Sequence, residues 1–186
     1  YRSDIGGLIF AASNTRFDAS FVTGVLGRNV QRPARRHLRG AKRVLRYLKG
    51  TRDLRLTWEA PPGPCQKLTL RSFSDADWAG DKTTRKSTTG QAHFLNGNLC
   101  HWRSKLEAAL ALSSTESETV ALSATGRMAR GQQNLLEEVL RLGQLRVPLE
   151  VELTGDNSAS LFIAEGTADL RKVRHLDLAD LYVRHL

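Results

Sequence analysis

The sequence predicts an α/β protein in which a mixed five-stranded sheet with flanking helices is preceded by a small helical segment. Three observations predict this class. A basic amphipathic helical pattern occupies the first 50 residues, alternating apolar and polar residues mark strands from residue 67 onward, and a long helical pattern separates four of these strands from a fifth. At 186 residues the chain is long enough for one ordinary domain with additional chain in front of it.

Two short helices and one long basic helix are predicted before residue 51. Apolar runs at 8–10 and 21–26 alternate with turn residues and indicate the short helices. Pro33 suits the first position of the long helix, and Gly50 suits its C-terminal end. The apolar residues of the long helix recur every three or four positions, opposite a basic face, and they are Leu38, Ala41, Val44, Leu45 and Leu48.

The net charge of +9 comes entirely from this N-terminal segment. Residues 1–50 contain 11 of the 28 Lys and Arg residues but only 2 of the 19 Asp and Glu residues, and the charges of the remaining chain cancel. A localised basic block is typical of a surface that binds a polyanion, most simply nucleic acid, and the alternative is a solvated helix face. The candidate nucleic-acid contacts on the long helix are Arg35, Arg39, Lys42, Arg43 and Arg46.

A Pro-rich run at residues 60–64 marks a loop or domain boundary. We therefore expect a helical segment at 1–58, a linker at 59–66 and an α/β domain at 67–186. The strands of this domain are expected at 67–75, 90–94, 99–102, 108–112 and 147–153, with Asn96-Gly97 as a hairpin turn. Its helices are expected at 113–142, at 158–164 and from 176 to the end, and Gly126 and Gly131 weaken the middle of the first.

Composition excludes several classes of protein. Hydrophobic residues make up 40% and charged residues 25% of the chain, which are globular proportions. No run approaches the roughly 20 apolar residues of a membrane-spanning helix, so no membrane partner is expected.

The two cysteines, Cys65 and Cys100, form no CxxC pattern, which favours a reducing intracellular compartment and no zinc site. No signal peptide opens the chain, and since it does not begin with Met we expect a fragment or a processed piece.

Four acidic residues stand where the strands of this domain end and its helices begin. Asp75 ends the first strand, Glu118 lies in the first turn of the long helix, Asp156 follows the last strand and Asp177 opens the last helix. Such positions meet at one edge of an α/β sheet, where converging carboxylates would repel one another unless a cation joined them. Oxygen ligands suit Mg²⁺ or Mn²⁺, and two such ions about 3.5–4 Å apart can promote hydrolysis of a phosphodiester.

Each of these carboxylates also has a purely structural explanation. Asp75 and Asp156 suit turns, Glu118 suits the positive end of the helix dipole, and Asp177 suits a cap. Asp77 is less favoured than Asp75, because alternation along an extended chain is expected to point it away. The occurrence of all four carboxylates with this order of elements favours the chemical interpretation.

Longer motifs resemble one known family. Residues 1–51, from "YRSDIGGLIF" to "VLRYLKGT", are similar to the stretch that follows the reverse transcriptase core in copia-type retrotransposon polyproteins. The motifs "SFSDADWAGDKTTRKSTTG", "HWRSK", "ALSSTESETVAL", "GDNSAS" and "RHLDL" resemble, in order, landmarks of the adjoining ribonuclease H domain. The resemblance covers essentially all of the chain.

This resemblance implies a ribonuclease H-like fold and hydrolysis of the RNA strand of an RNA–DNA hybrid. The family's catalytic and metal-binding positions, which would hold two Mg²⁺ ions, fall on Asp75, Glu118, Asp156 and Asp177. Glu118 rather than Glu116 takes this role, and Glu116 is interpreted as a capping residue three positions after Ser113. Ser87 and Asn157 are further candidate contacts to nucleic acid.

The implied partners are an RNA–DNA hybrid and the reverse transcriptase core of the same polyprotein. The implied location is a cytoplasmic virus-like particle or the nucleus, and the last helix is expected to be truncated. The stretch "KLEAALALSSTE" replaces a more basic one, which leaves substrate contacts there open. Two alternatives remain: a catalytically inactive nucleic-acid-binding or assembly fragment, and an integrase-like or exonuclease-like nuclease that cuts DNA.

Overall fold

The computed structural model describes residues 1–60 and 62–155 of the chain. No helix within these two ranges is both long enough and apolar enough to cross a bilayer. The predictions that lie outside the described residues are Asp156, Asn157, Asp177 and the helices at 158–164 and 176–186.

The chain divides into two compact units. The first comprises Tyr1–Trp58 together with Trp102–Lys105, and the second comprises Glu59–His101 and the chain from Leu106 onward. Each unit has its own secondary structure, and the candidate carboxylates that the structure describes both belong to the second unit.

The first unit is helical. Its helices are α1 (Arg2–Asn14), α2 (Ser20–Gly27) and α3 (Arg35–Gly50), and a short 3-10 turn at Phe17–Ala19 precedes α2. The two short helices and the long basic helix are thus confirmed. The start of α3 differs from the prediction, because Ala34 is the cap and Pro33 lies outside the helix. The ring Nδ1 of His37 accepts the Ala34 N–H at 3.0 Å, which stabilises the helix start at this position.

A small apolar core holds the first unit together. Its buried residues are Ile5, Leu8, Ala12, Ala19, Leu26, Ala41 and Val44. The apolar face of α3 is narrower than the prediction, since Leu38 and Leu45 are 40% and 45% exposed. Gly40 permits α3 to approach α2 closely, because a Cβ there would lie 2.9 Å from Cδ2 of Leu26.

A polar network adds to this core. Arg16 makes two bonds to the Asp18 carboxylate, at 3.0 and 2.7 Å, and a third to the Thr51 carbonyl at 3.1 Å. The Tyr47 hydroxyl donates to the same carboxylate at 2.6 Å. The hydrogen bond from Arg16 holds the pKa of Asp18 below its usual range. Arg16 therefore has a structural role, because it links Asp18 to Thr51.

The second unit is a mixed sheet with one long helix. Its elements are β1 (Leu68–Asp77), β2 (Thr88–Leu95), β3 (Asn98–Leu106), α4 (Ser114–Leu142) and β4 (Leu149–Gly155). The strand order is β3-β2-β1-β4, with β1 antiparallel to β2 and parallel to β4. The predicted hairpin is confirmed: Asn96 and Gly97 have φ values of 48° and 82°, the mirror-image turn that such pairs favour. Gly126 and Gly131 do not interrupt α4.

The described part of the sheet has four strands, and the predicted strand at 108–112 is wrong. This segment connects β3 to α4, and its carbonyl groups bond to side chains. The Lys86 ammonium donates to the Ala108 carbonyl, and the Trp78 indole donates to the Ala111 carbonyl at 3.2 Å. Leu110 and Leu112, the two large apolar residues of this segment, are 54% and 74% exposed.

The interior between β1, β2 and α4 is unusually rich in hydroxyl groups. The buried Ser and Thr residues of these three elements are Ser72, Ser74, Thr88, Thr89, Ser117, Thr119, Ser123 and Thr125. Leu70, Ala121 and Leu122 provide buried apolar contacts. Because buried hydroxyl groups need partners, this interior depends on specific hydrogen bonds more than an aliphatic core does.

Candidate functional site

The carboxyl ends of two parallel strands meet at one edge of the sheet. The register of β1 and β4 runs from Leu68 opposite Leu149 to Ser74 opposite Gly155. Asp75 comes directly after Ser74 in β1, and its side chain is exposed. Asp156 is the next residue in the chain after Gly155 and lies outside the described residues. This edge is where ligands bind in open α/β sheets.

Two capping hydrogen bonds begin the long helix at this edge. The Ser113 hydroxyl accepts the Glu116 N–H at 3.1 Å, and the Glu116 carboxylate accepts the Leu112 N–H. The capping interpretation of Glu116 is therefore confirmed. Glu118 lies in the second turn of α4, one turn later than predicted, because the acidic residue of the first turn is Glu116.

The Glu118 carboxylate reaches the end of β1. Its Oε1 accepts the N–H of Ala76 at 3.2 Å. Ala76 follows Asp75 directly in β1, so this contact places the Glu118 carboxylate at the carboxyl end of that strand. Covalent geometry then limits the distance from Glu118 Oε1 to the Asp75 Cα to about 5.6 Å. Asp75 and Glu118, which are 43 positions apart in the sequence, are thus brought together.

Asp77 does not point away from Asp75 as the alternation argument predicted. Residues two apart in a strand share a face, so the argument that Asp77 points away from Asp75 is wrong. Both side chains are exposed in β1. Asp77 is distinguished by its contact with the following turn, where its Oδ2 lies 1.8 Å from the position that a Cβ on Gly80 would occupy. Glycine at this position is what allows the carboxylate to fold against the turn.

Ser87 is buried beneath the same loop. It has no exposed surface, and its hydroxyl accepts the Ala79 N–H at 3.2 Å. The hydroxyl therefore supports the β1–β2 connection, and a contact from Ser87 to a phosphate would require this turn to open. The role of Asn157, which lies outside the described residues, stays a prediction.

The structure adds one carboxylate that sequence reasoning missed. Oε1 of Glu107 accepts hydroxyl hydrogen bonds from Thr89 on β2, at 3.1 Å, and from Ser117 on α4, at 3.3 Å. Its backbone N–H donates to the Ser87 carbonyl at 2.9 Å. The signal in the sequence was the acidic residue in "KLEAALALSSTE", a stretch that is expected to be more basic.

The donor chemistry of this edge fits a hard divalent cation. Asp75 and Glu118 supply carboxylate oxygens, which are the ligands that Mg²⁺ and Mn²⁺ prefer. Within residues 1–60 and 62–155, no group of three or more His, Cys, Asp or Glu side chains is placed to hold a metal. A complete site would therefore need donors from beyond the described chain, where Asp156 and Asp177 lie.

The basic face of α3 is open to solvent. The five predicted nucleic-acid contacts on this helix are all exposed, and they are Arg35, Arg39, Lys42, Arg43 and Arg46. The helix contains no acidic residue to neutralise them. Such a face has the electrostatic character of a phosphate-binding surface.

The whole chain matches Pol polyproteins of plant transposons. It is 31% identical over 186 residues, all of this chain, to the retrovirus-related Pol polyprotein from transposon TNT 1-94 of Nicotiana tabacum, and covers 13% of that protein. It is 30% identical over 185 residues to the Pol polyprotein from transposon RE1 of Arabidopsis thaliana, and covers 12% of that protein. The chain thus spans about an eighth of the length of these relatives.

A shorter relative is matched over most of its length. Secreted RxLR effector protein 161 of Plasmopara viticola is 42% identical over 123 residues, which are 66% of this chain and 84% of that protein. No protein-family model and no solved structure matches the chain. The similarity to retrovirus-related Pol polyproteins of plant transposons thus runs through the whole chain at about 30% identity.

Proposed function

We propose that this chain is a ribonuclease H-type endonuclease segment that hydrolyses the RNA strand of RNA–DNA hybrids during reverse transcription of a retrotransposon. One observation carries the proposal: Glu118 Oε1 lies 3.2 Å from the amide of Ala76, next to Asp75 at the carboxyl end of β1. Two carboxylates at the same end of a strand can serve together as ligands of a divalent cation. Kinship with transposon Pol polyproteins supports a role in copying an RNA genome.

In this proposal Asp75 and Glu118 bind Mg²⁺ directly, and Asp156 and Asp177 complete the ligand set. Bound Mg²⁺ would supply water activation and charge stabilisation at the scissile phosphate, and Mn²⁺ could substitute for it. The protein's own contribution is to orient the carboxylates. The Ala76 N–H fixes one oxygen of Glu118, which leaves the orientation of the carboxylate defined before any ion binds.

The substrate would be held through its phosphates by the exposed basic face of α3, with the RNA strand distinguished by its 2′-hydroxyl groups. Partners in this proposal are the hybrid and the reverse transcriptase core of the same polyprotein. We place the activity inside the cell, in a virus-like particle or the nucleus.

A labelled RNA–DNA hybrid incubated with the chain and Mg²⁺ tests the proposal. We expect cleavage of the RNA strand that disappears with Asp75→Asn and with Glu118→Gln. The matched control is Asp77→Asn, which removes an exposed carboxylate from the same face of β1 and should keep cleavage. A folded chain that leaves the hybrid intact, or an active Asp75→Asn variant, would refute the proposal. Cleavage of duplex or single-stranded DNA in preference to the hybrid would instead support an integrase-like or exonuclease-like nuclease.

The exposed basic face of α3 also favours a second candidate function, nucleic-acid binding without turnover. This function predicts salt-dependent hybrid binding that is unaffected by Asp75→Asn and no cleavage with Mg²⁺ or Mn²⁺. Binding and cleavage measured on the same sample therefore separate the two candidates.

A further inference from the structure

We infer that Glu107 is a positioning residue for the metal-binding carboxylate Glu118, an inference that rests on the proposed nuclease function. Glu107 lies between β3 and α4, outside every element of the sheet and helix. Its carboxylate nevertheless joins β2 to α4, because one oxygen accepts from Thr89 and from Ser117.

Both ends of this bridge are next to the proposed site. Thr89 is the cross-strand partner of Ala76, whose N–H donates to Glu118. Ser117 immediately precedes Glu118 in α4. The contacts thus close a circuit that runs from Ala76 across to Thr89, through Glu107 to Ser117, and through Glu118 back to Ala76.

The two hydroxyl groups that Glu107 joins are buried. Ser117 is fully buried and Thr89 is 7% exposed, so water cannot readily replace the acceptor that Glu107 provides. Loss of the acceptor leaves two buried hydroxyl groups without this partner, on either side of the contact that orients Glu118. The start of α4 would then move relative to β1, and the Glu118 oxygen would leave its place beside Ala76.

The Ala76 amide offers a readout that needs neither metal nor substrate. Its ¹⁵N–¹H resonance reports the hydrogen bond that this amide donates to Glu118 in the 186-residue chain. We expect Glu107→Ala to shift this resonance, to lower the affinity for Mg²⁺ measured by titration by about 10- to 100-fold, and to lower kcat more than it raises KM for the hybrid. Glu107→Gln keeps a carbonyl oxygen as acceptor and should restore all three values.

Two further variants keep the test decisive. Thr89→Val removes one donor with little change in shape, and it should shift the Ala76 resonance in the same direction even where Glu107→Ala fails to fold. Glu116→Ala removes the capping interaction at the same helix start without touching the circuit, so it should lower stability and leave the Mg²⁺ affinity unchanged.

An Ala76 resonance and a Mg²⁺ affinity that are unchanged in Glu107→Ala would overturn the inference, as would a Glu107→Gln variant that behaves like Glu107→Ala. A wild-type chain that never cleaves the hybrid contradicts the proposed function instead, and the Ala76 resonance still decides whether Glu107 positions Glu118.

Discussion

His93 should make the stability of the fold depend on pH. It lies in β2 with no exposed surface, and its Nδ1 is 2.8 Å from the Ser72 hydroxyl. Burial, and then the neighbouring His101 ring at 5.4 Å, lowers the pKa of His93 from 6.5 to about 4. The folded protein therefore keeps this imidazole neutral at pH values where the unfolded chain protonates it.

The sign and size of the effect follow from this difference. Between pH 6.5 and about 4 the unfolded chain binds one more proton at His93 than the folded protein does, so stability falls as the pH falls. The difference in pKa corresponds to about 3 kcal/mol over that range, which is a large fraction of the stability of a domain. The contribution is fully present above pH 6.5 and is lost as the pH falls through the folded pKa.

Urea denaturation at several pH values measures this contribution. His93→Asn removes the titrating group while keeping a partner for Ser72, so its stability should depend less on pH than that of the wild type. Ser72→Ala is the matched control, since it loses the hydrogen bond but keeps the imidazole and hence the pH dependence. Parallel losses of stability in wild type and His93→Asn between neutral pH and pH 4 would refute this reasoning.

Three further changes have outcomes that the structure predicts. Ser113→Ala should lower the free energy of unfolding by about 1 kcal/mol in a urea titration, because the Glu116 N–H loses its acceptor. Gly80→Ala should lower it by about 1 kcal/mol as well, because the Asp77 carboxylate must move, and adding Asp77→Ala should cancel most of that loss in a double-mutant cycle. Replacing Arg35, Arg39 and Arg43 together with Ala should weaken hybrid binding and reduce the slope of log K against log salt by up to about 3, and an unchanged slope would remove α3 from the interface.

Features of the fold that depend on local chemistry were predictable from the sequence. Asn96-Gly97 has the backbone preferences of a tight hairpin turn, and Ser113 with Glu116 has the spacing of a capping box. The assignment of the metal-binding role to Glu118 came from the family resemblance, whereas this local spacing gave Glu116 its capping role. These patterns act over two to four residues, so no knowledge of the tertiary structure is needed.

Features that depend on distant partners were not predictable. The apolar segment at 108–112 resembles a strand, but an extended segment joins a sheet only where a neighbouring strand is available. Here the carbonyl groups of Ala108 and Ala111 accept from Lys86 and Trp78 instead. The role of Glu107 depends on Thr89 and Ser117, which the fold brings to one oxygen. Nothing in the local sequence distinguishes such a carboxylate from a solvated one.

We propose that the edge formed by Asp75 and Glu118 is a metal-dependent nuclease site. The most direct measurement is cleavage of a labelled RNA–DNA hybrid as Mg²⁺ is added to wild type, Asp75→Asn and Asp77→Asn in parallel. We expect Mg²⁺-dependent cleavage of the RNA strand by wild type and Asp77→Asn and none by Asp75→Asn. Equal cleavage by all three proteins, or none by a wild-type protein that is folded and binds the hybrid, would contradict it.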